Sequence, residues 1–171
     1  MPLIDPGKKA PVFSLADAQG ATHHLKEYLG RPVILFFYPK DGTPGCTAEA
    51  CGFRDLLPAL EPLTAVVLGV SADSAESHAT FAAAHSLNFP LLVDAFGRDG
   101  VPKTCDKYGV WQEKTFYGRT SMGVVRTTYL VDEAGKVAQR WDNVRVEGHA
   151  AEVLDAVRGL RRGLPLMIGA K

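Results

Sequence analysis

An unbroken apolar run, Val-Ile-Leu-Phe-Phe-Tyr at residues 33–38, constrains the fold of this chain more than any other feature. Such a run without polar alternation is typical of a strand buried on both faces, in the middle of a sheet covered by helices. Breaker residues follow at 39–42, and Thr43 and Pro44 then open a helical pattern that continues to about Leu60. Strand, loop and helix in this order predict one half of a βαβ unit.

Further strands and helices alternate along the chain. The predicted strands are 22–25, 32–38, 64–71, 91–93, 124–131 and 136–141, and the predicted helices are a turn at 26–29, 43–60, 74–85, 100–108 and 147–162. The last two strands flank a turn signal at 132–135 and predict a β-hairpin. This order predicts an α/β protein whose mixed sheet is flanked by helices. With 171 residues we expect one domain over 1–171, with its core at about 5–162 and a frayed tail at 163–171.

The composition excludes several classes of protein. A hydrophobic content of 46% with 22% charged residues is typical of a globular domain and not of a disordered chain. Nineteen basic residues balance nineteen acidic ones, so we expect neither nucleic acid nor a membrane surface as a partner. No apolar run approaches the ~20 residues of a membrane helix, and the N-terminus lacks the pattern of a secretory signal, so we expect a cytoplasmic protein.

The candidate chemistry lies where the first helix begins. Three cysteines are an odd number and too few to staple a domain of this size, so free or reactive thiols are expected. Cys46 falls in the first turn of the predicted helix, where the helix dipole and unpaired N–H groups stabilise a thiolate. The position favours a reactive thiolate over the alternative, a small buried hydrophobic residue.

Cys51 lies five residues further along the same predicted helix. On an ideal helix the two Cα atoms are about 8.7 Å apart, whereas a disulfide needs them within about 7 Å. A bond between Cys46 and Cys51 therefore requires the first turns of the helix to unwind, which predicts a local unfolding driven by oxidation. Spacing alone leaves a core thiol as an equal alternative for Cys51, and Cys105, on a short predicted helix, is interpreted as a core or bystander thiol.

The residues around Cys46 resemble a known active-site motif. Pro39-x-x-x-Thr43-x-x-Cys46, with Cys51 five residues on, is similar to the motif of peroxiredoxins of the bacterioferritin comigratory protein or peroxiredoxin Q subfamily. Stretches 36–40, 43–47 and 108–111 also match. The resemblance implies a thioredoxin-like fold with an N-terminal β extension, reduction of hydrogen peroxide and organic hydroperoxides, and recycling by thioredoxin or a similar dithiol. It implies no cofactor and no metal, and a monomer or weak homodimer.

The same resemblance implies roles for individual residues. Cys46 is the expected nucleophile and Cys51 the resolving thiol that condenses with its sulfenic acid before irreversible oxidation. Thr43, one turn before Cys46, is expected to hydrogen-bond the peroxide, with helix capping as its alternative or additional role. Pro39 is expected to shield the nucleophile, or else only to end the strand.

A fixed cation is expected to hold the Cys46 sulfur deprotonated. Arg126 is the first candidate, because it interrupts a β-branched run and by strict alternation would share a face with Val124 and Thr128. A guanidinium there is costly without an anionic partner, although an edge-strand arginine that reaches solvent is the ordinary alternative. Arg119 and Arg54 are the next candidates.

Two other functions use the same cysteines. A thiol-disulfide oxidoreductase on this fold would favour Cys-x-x-Cys, in which the sulfurs join without melting the helix, so the observed spacing speaks against it. A redox sensor or partner-binding module would react with peroxide but turn over poorly with any reductant. Metal binding is disfavoured because the histidines lie in no ligand pattern.

Overall fold

The structure is a computed structural model that describes residues 1–162, so the predicted tail at 163–171 lies outside the described residues. Strands alternate with helices as predicted. The strands are β1 Ser14–Ala16, β2 Thr22–His24, β3 Val33–Phe37, β4 Val66–Ser71, β5 Leu91–Val93, β6 Trp111–Phe116, β7 Arg119–Val124, β8 Thr127–Val131 and β9 Val137–Trp141, and the helices are α1 Pro44–Leu60, α2 Ala75–Ala84, α3 Lys103–Lys107 and α4 His149–Arg161.

A five-stranded mixed sheet lies at the centre, in the order β5-β4-β3-β8-β9. Strands β3, β4 and β5 are parallel to one another, whereas β8 runs antiparallel to both β3 and β9. β3 is central and every one of its residues is buried, as the apolar run at 33–38 predicts. The carboxyl ends of β3 and β4 therefore meet the beginning of β8 at one edge of the sheet.

The two faces of this sheet carry separate cores. Alternate side chains of β3, including Ile34 and Phe36, pack against α1, α2 and α4 on one face. The others, including Leu35 and Phe37, pack on the opposite face against α3 and the N-terminal residues. β1 and β2 form an antiparallel pair there, which confirms the expected N-terminal β extension. None of the helices within residues 1–162 has both the length and the apolar character needed to cross a membrane.

The prediction of one strand over 124–131 is wrong at its centre. Residues up to Val124 belong to β7, which among residues 1–162 pairs only with β6 in a two-stranded hairpin, whereas the residues from Thr127 onward belong to the central sheet. The chain changes sheets at Val125 and Arg126, so strict alternation does not extend across these two residues. The hairpin itself was not predicted, because both its strands are largely solvent-exposed and carry no core pattern.

Candidate active site

Cys46 lies at the edge of the sheet where β3 ends and α1 begins. Thr43 is the residue before α1, Pro44 is its first residue, and Cys46 follows within the first turn, as the sequence predicts. The N–H groups of Gly45 and Cys46 precede the first intrahelical hydrogen bond, which the Thr47 N–H makes to the Thr43 carbonyl, so they have no partner inside the helix. Cys46 is only 1% exposed, so a protein partner cannot reach its sulfur in this state.

Arg126 reaches this sulfur from the short segment that precedes β8. Thr127, the residue after it, pairs with Phe37 at the end of β3, so the register of β8 places Arg126 beside the start of α1. Its Nη2 donates to Cys46 Sγ at 3.4 Å, and its Nη1 donates to Glu49 Oε1 at 2.8 Å. The glycine at position 45 favours this close approach, since a Cβ there would lie 3.0 Å from Nη2 and would push the guanidinium away by a few tenths of an ångström.

Glu49 is a site residue that the sequence analysis missed. It lies three residues after Cys46 on the same face of α1, and its side chain is 1% exposed. Burial raises the pKa of Glu49 to about 7, although the charge and hydrogen bond of Arg126 act to lower it. Its second oxygen, Oε2, has no hydrogen-bond partner among the described residues. A carboxylate one turn from Cys46 on a helix face that packs on the sheet was the available signal.

His149, the first residue of α4, lies next to the buried carboxyl group of Glu49. Its Nε2 lies 3.9 Å from Glu49 Oε2 and within 2.8 Å of the Thr128 hydroxyl. Burial lowers the pKa of His149 to about 4, and the charge of Arg126 acts in the same direction. Because this imidazole is neutral at pH 7, Arg126 is the cation that Glu49 and Cys46 share.

Thr43 and Pro39 lie in the loop that joins β3 to α1. The Thr43 hydroxyl donates to the Lys40 carbonyl at 2.8 Å, and the Thr43 carbonyl accepts from the Thr47 N–H at 2.8 Å. The side chain makes no capping bond, so the capping alternative is wrong for the hydroxyl, although Thr43 does occupy the cap position. Pro39 is half-buried at the start of the loop.

The other candidate cations do not contact Cys46. Arg54 donates to the Asp55 carboxylate at 2.9 Å and to the His85 carbonyl at 2.7 Å. Arg119 is exposed on β7. Of the three arginines named from the sequence, the structure brings only Arg126 to the sulfur. The alternation argument for it was nevertheless wrong, because Arg126 lies in the change of sheets and not within a strand.

The three cysteines are all unpaired and differ in position. Cys51 is half-buried on α1, which runs unbroken past both helical cysteines, so they are not joined in this state. Cys105 is fully buried in the core on the opposite face of the sheet from Cys46. Burial, together with the charge of Asp94, raises the pKa of the Cys105 thiol far above its ordinary value, which favours an inert core thiol.

A family model described as the AhpC/TSA family matches residues 6–140. The chain belongs to the AhpC/TSA family. Within it, the chain is similar to the putative peroxiredoxin bcp of Coxiella burnetii, with 45% identity over 151 residues, 88% of this chain and 97% of that protein. It is similar also to peroxiredoxin Bcp of Bacillus subtilis, with 41% identity over 157 residues, 92% of this chain and 97% of that protein.

Solved structures agree with this membership. The Xanthomonas campestris bacterioferritin comigratory protein, studied for alkyl peroxide reduction, superposes with a TM-score of 0.82 at 36% identity over 92% of this chain and 99% of that one. A Xylella fastidiosa PrxQ mutant gives 0.84 at 34% identity, over 92% and 97%. This peroxiredoxin is therefore a thiol peroxidase with a thioredoxin fold, of the Bcp or peroxiredoxin Q branch.

One histidine of this peroxiredoxin does lie among possible metal ligands, contrary to the sequence interpretation. Ligand atoms of Asp41, Asp73 and His78 lie within 4.8 Å of one another. Their polar atoms are, however, already joined by hydrogen bonds: His78 to Asp41 at 2.6 Å, and the Asp41 N–H to Asp73 at 2.9 Å. The cluster is thus explained as an anchor for the loop before Cys46.

Proposed function

We propose that Cys46 is the thiolate that attacks the peroxide, with Arg126 and Thr43 organising the reacting oxygens. The contact between Arg126 Nη2 and Cys46 Sγ carries this proposal. The thiolate attacks one peroxide oxygen, the O–O bond breaks, and the leaving hydroxide or alkoxide takes up a proton. The Arg126 guanidinium is a fixed donor that stabilises the negative charge developing in that transition state, and the Thr43 hydroxyl, whose proton goes to the Lys40 carbonyl, accepts a hydrogen bond from the peroxide. Pro39 shapes the loop that keeps bulk water from the sulfur.

We propose Cys51 as the resolving thiol. The sulfenic acid on Cys46 has to meet a second thiol, and Cys51 is half-buried on the same helix whereas Cys105 lies across the sheet. The Cys51 thiol loses its proton and its sulfur attacks the oxidised sulfur, so that the S–S bond forms, the S–O bond breaks, and the hydroxide leaves as water with that proton. Helix α1 can unwind at its beginning because its first turn lacks both a side-chain cap and an acidic residue.

We propose a dithiol protein such as thioredoxin as the reductant. Its thiolate attacks the Cys46–Cys51 disulfide, a mixed disulfide forms, and its second thiol releases the reduced enzyme while the reductant becomes oxidised. The burial of Cys46 supports this order of events, because a protein reductant has no access to that sulfur before α1 unwinds. We propose the cytoplasm as the compartment, because three cysteines are an odd number and too few for the disulfide framework of a secreted domain.

We propose hydrogen peroxide and organic hydroperoxides as substrates. The alkyl peroxide reduction studied for the Xanthomonas campestris relative supports the organic class.

For assembly we propose a monomer or weak homodimer, checked by sedimentation velocity. Among residues 1–162 the most exposed aromatic side chains, Phe116 and Tyr117, stand together at one hairpin turn, a smaller surface than an obligate dimer buries.

The test of the two-cysteine mechanism is peptide mass measurement after one equivalent of hydrogen peroxide. Trypsin should release residues 41–54 as one peptide that carries both helical cysteines. We expect this peptide to lack two hydrogens and to resist alkylation. The Cys51→Ser variant should instead keep a sulfenic acid on Cys46 that dimedone traps, whereas Cys105→Ser should behave as the parent protein. Free thiols in both helical positions after peroxide would contradict the mechanism.

A further inference from the structure

The loop before Cys46 is tied to helix α2 by a carboxylate with three donors. Asp41 lies five residues before Cys46, and its side chain is 4% exposed. It accepts hydrogen bonds from the Tyr38 hydroxyl at 2.6 Å, the Ser77 hydroxyl at 2.8 Å and His78 Nδ1 at 2.6 Å. Two of these donors belong to α2, so the end of β3, the loop and α2 meet at one carboxylate.

His78 is charged in this arrangement. Its Nδ1 faces the Asp41 carboxylate and its Nε2 faces the Leu92 carbonyl at 2.9 Å, and both partners only accept hydrogen bonds. Both ring nitrogens therefore donate, which requires an imidazolium. Burial acts to lower the pKa of His78, but the hydrogen bond and charge of Asp41 raise it above its ordinary value. Burial likewise acts to raise the pKa of Asp41, and the bonds from His78 and Tyr38 lower it.

The backbone of Asp41 is held as well. Its N–H donates to Asp73 Oδ2 at 2.9 Å, and the same oxygen accepts from the Ser71 hydroxyl at 2.6 Å. The next residue, Gly42, has a φ of +77° and nothing within 4 Å of an added Cβ. The chain is thus held at Asp41, and Gly42, which has no Cβ and tolerates the widest range of φ, is the candidate hinge of the loop.

We propose that the ion pair between His78 and Asp41 is a positioning pair for the peroxide-reactive conformation. It holds the loop that presents Thr43 and Cys46, and it confines the unwinding needed for the Cys46–Cys51 disulfide to the residues after the Gly42 hinge. The proposal rests on the proposed roles of these two cysteines. Neither His78 nor Asp41 touches the Cys46 sulfur in the structure, so both act through the loop.

The pair exists only within a window of pH. The titratable groups that face His78 are Asp41 from the loop, Asp73 from the segment before α2, and Tyr38 from the end of β3. Strand β5 contributes only the Leu92 carbonyl. Because the pKa of His78 is raised, the pair is complete at the ordinary pKa of histidine and is lost as pH rises through the folded value. The reaction with peroxide should therefore slow at high pH.

Two substitutions at His78 separate its two hydrogen bonds. The amide nitrogen of His78→Asn occupies the place of Nδ1 and keeps a donor to Asp41, whereas that of His78→Gln occupies the place of Nε2 and keeps only the donor to Leu92. We expect His78→Gln to lower the second-order rate constant for hydrogen peroxide about tenfold, since small misplacements of reacting groups are costly. His78→Asn keeps the donor to Asp41 but not the charge, so it should lower the rate constant less than His78→Gln does and should show no further decline at high pH. The disulfide-forming step should not slow in either variant.

The Asp41→Asn variant supplies an independent measurement, because a loop substitution leaves the buried face of α2 intact. It should slow the peroxide reaction about tenfold and abolish the decline at high pH, since the ion pair whose loss causes that decline is absent. Equal losses in both His78 variants, or an unchanged rate in Asp41→Asn, would overturn the positioning role. A parent protein that does not react with peroxide would overturn the proposed function instead.

Discussion

Arg126 joins two buried groups through one planar guanidinium. Nη2 contacts the Cys46 sulfur at 3.4 Å while Nη1 contacts the Glu49 carboxylate at 2.8 Å. A lysine carries the same charge on a single ammonium and lacks the rigid fork that serves two partners in fixed directions. The geometry of the donors, and not only their charge, is therefore expected to decide the rate.

We expect Arg126→Lys to lower the second-order rate constant for hydrogen peroxide about 100-fold, the usual effect of losing one fixed donor to a developing charge. Stopped-flow fluorescence of the reduced protein measures this rate. Arg119→Lys is the matched control, because Arg119 is exposed on β7, and its rate should not change. An Arg126→Lys rate within threefold of the parent would show that charge alone suffices.

Glu49 makes a separate prediction about stability. Burial raises its pKa from 4.5 to about 7 despite the opposing charge of Arg126, so between these values the folded protein keeps a proton that the unfolded chain has released. The stabilisation from this proton is complete below pH 4.5 and is lost as the pH rises through 7. The free energy of unfolding should fall by about 3 kcal/mol over this pH range because of Glu49.

The Glu49→Gln variant has no such group. Across pH 5 to 8, the free energy of unfolding of the parent protein, measured with urea under reducing conditions, should fall relative to that of Glu49→Gln. His149, whose lowered pKa acts in the opposite direction below its ordinary value, is common to both proteins and cancels in the difference. If the free energies of unfolding of the two proteins changed with pH in the same way, ionisation of Glu49 would not destabilise the folded protein.

At the scale of elements, α1 was predictable and the position of Arg126 within the fold was not. A buried strand, breakers and Pro44 at the first helical position are local signals, and α1 begins where they indicate. The change of sheets before Thr127 is instead set by pairing with β3 and β6, which are distant in sequence. Contacts of Asp41 with His78 likewise depend on residues 37 positions apart.

The beginning of α1 has to be stable enough to hold Cys46 and weak enough to unwind. Ala48→Gly, at an exposed position in this part of the helix, should weaken it by about 1 kcal/mol without changing any contact of Cys46. We expect disulfide formation to speed up about fivefold, because the unwound state becomes more populated. Quenched-flow alkylation measures this step.

Ala79→Gly is the matched control for that helix prediction. Ala79 is exposed in α2, so the substitution has a similar intrinsic cost but does not weaken α1. Its disulfide-forming rate should equal that of the parent protein. An equal rate in Ala48→Gly as well would mean that unwinding of α1 does not limit the step.

At the scale of the whole molecule, the central sheet separates the Cys46 thiol from the Cys105 thiol. Cys46 lies in the core between the sheet and α1, α2 and α4, whereas Cys105 lies in the core on the other face. A reaction between these two sulfurs would require the sheet itself to open. Joining Cys46 to Cys51 disturbs only the beginning of α1, so oxidation can alter one layer while the sheet and the opposite core persist.

Because joining Cys46 to Cys51 unwinds the beginning of α1, we expect the oxidised protein to be less stable than the reduced protein. The disulfide closes a six-residue loop in the unfolded chain, which by itself stabilises the folded protein by about 2 kcal/mol. Against it, unwinding α1 removes both Cys46 and Glu49 from Arg126, and breaking a buried pair costs about 3 to 5 kcal/mol. The oxidised form should therefore unfold about 5 °C below the reduced form in calorimetry.

Hydrogen exchange locates the lost stability. In the oxidised protein the amides from about 44 to 51 should lose protection, whereas those of β3 and α4 should keep it, because the backbone hydrogen bonds of β3 run to β4 and β8 and those of α4 lie within that helix. Cys51→Ser, treated with the same peroxide, cannot close the loop and should retain the exchange pattern of the reduced protein. An oxidised form of higher melting temperature with α1 still protected would mean that the two sulfurs join without unwinding the helix.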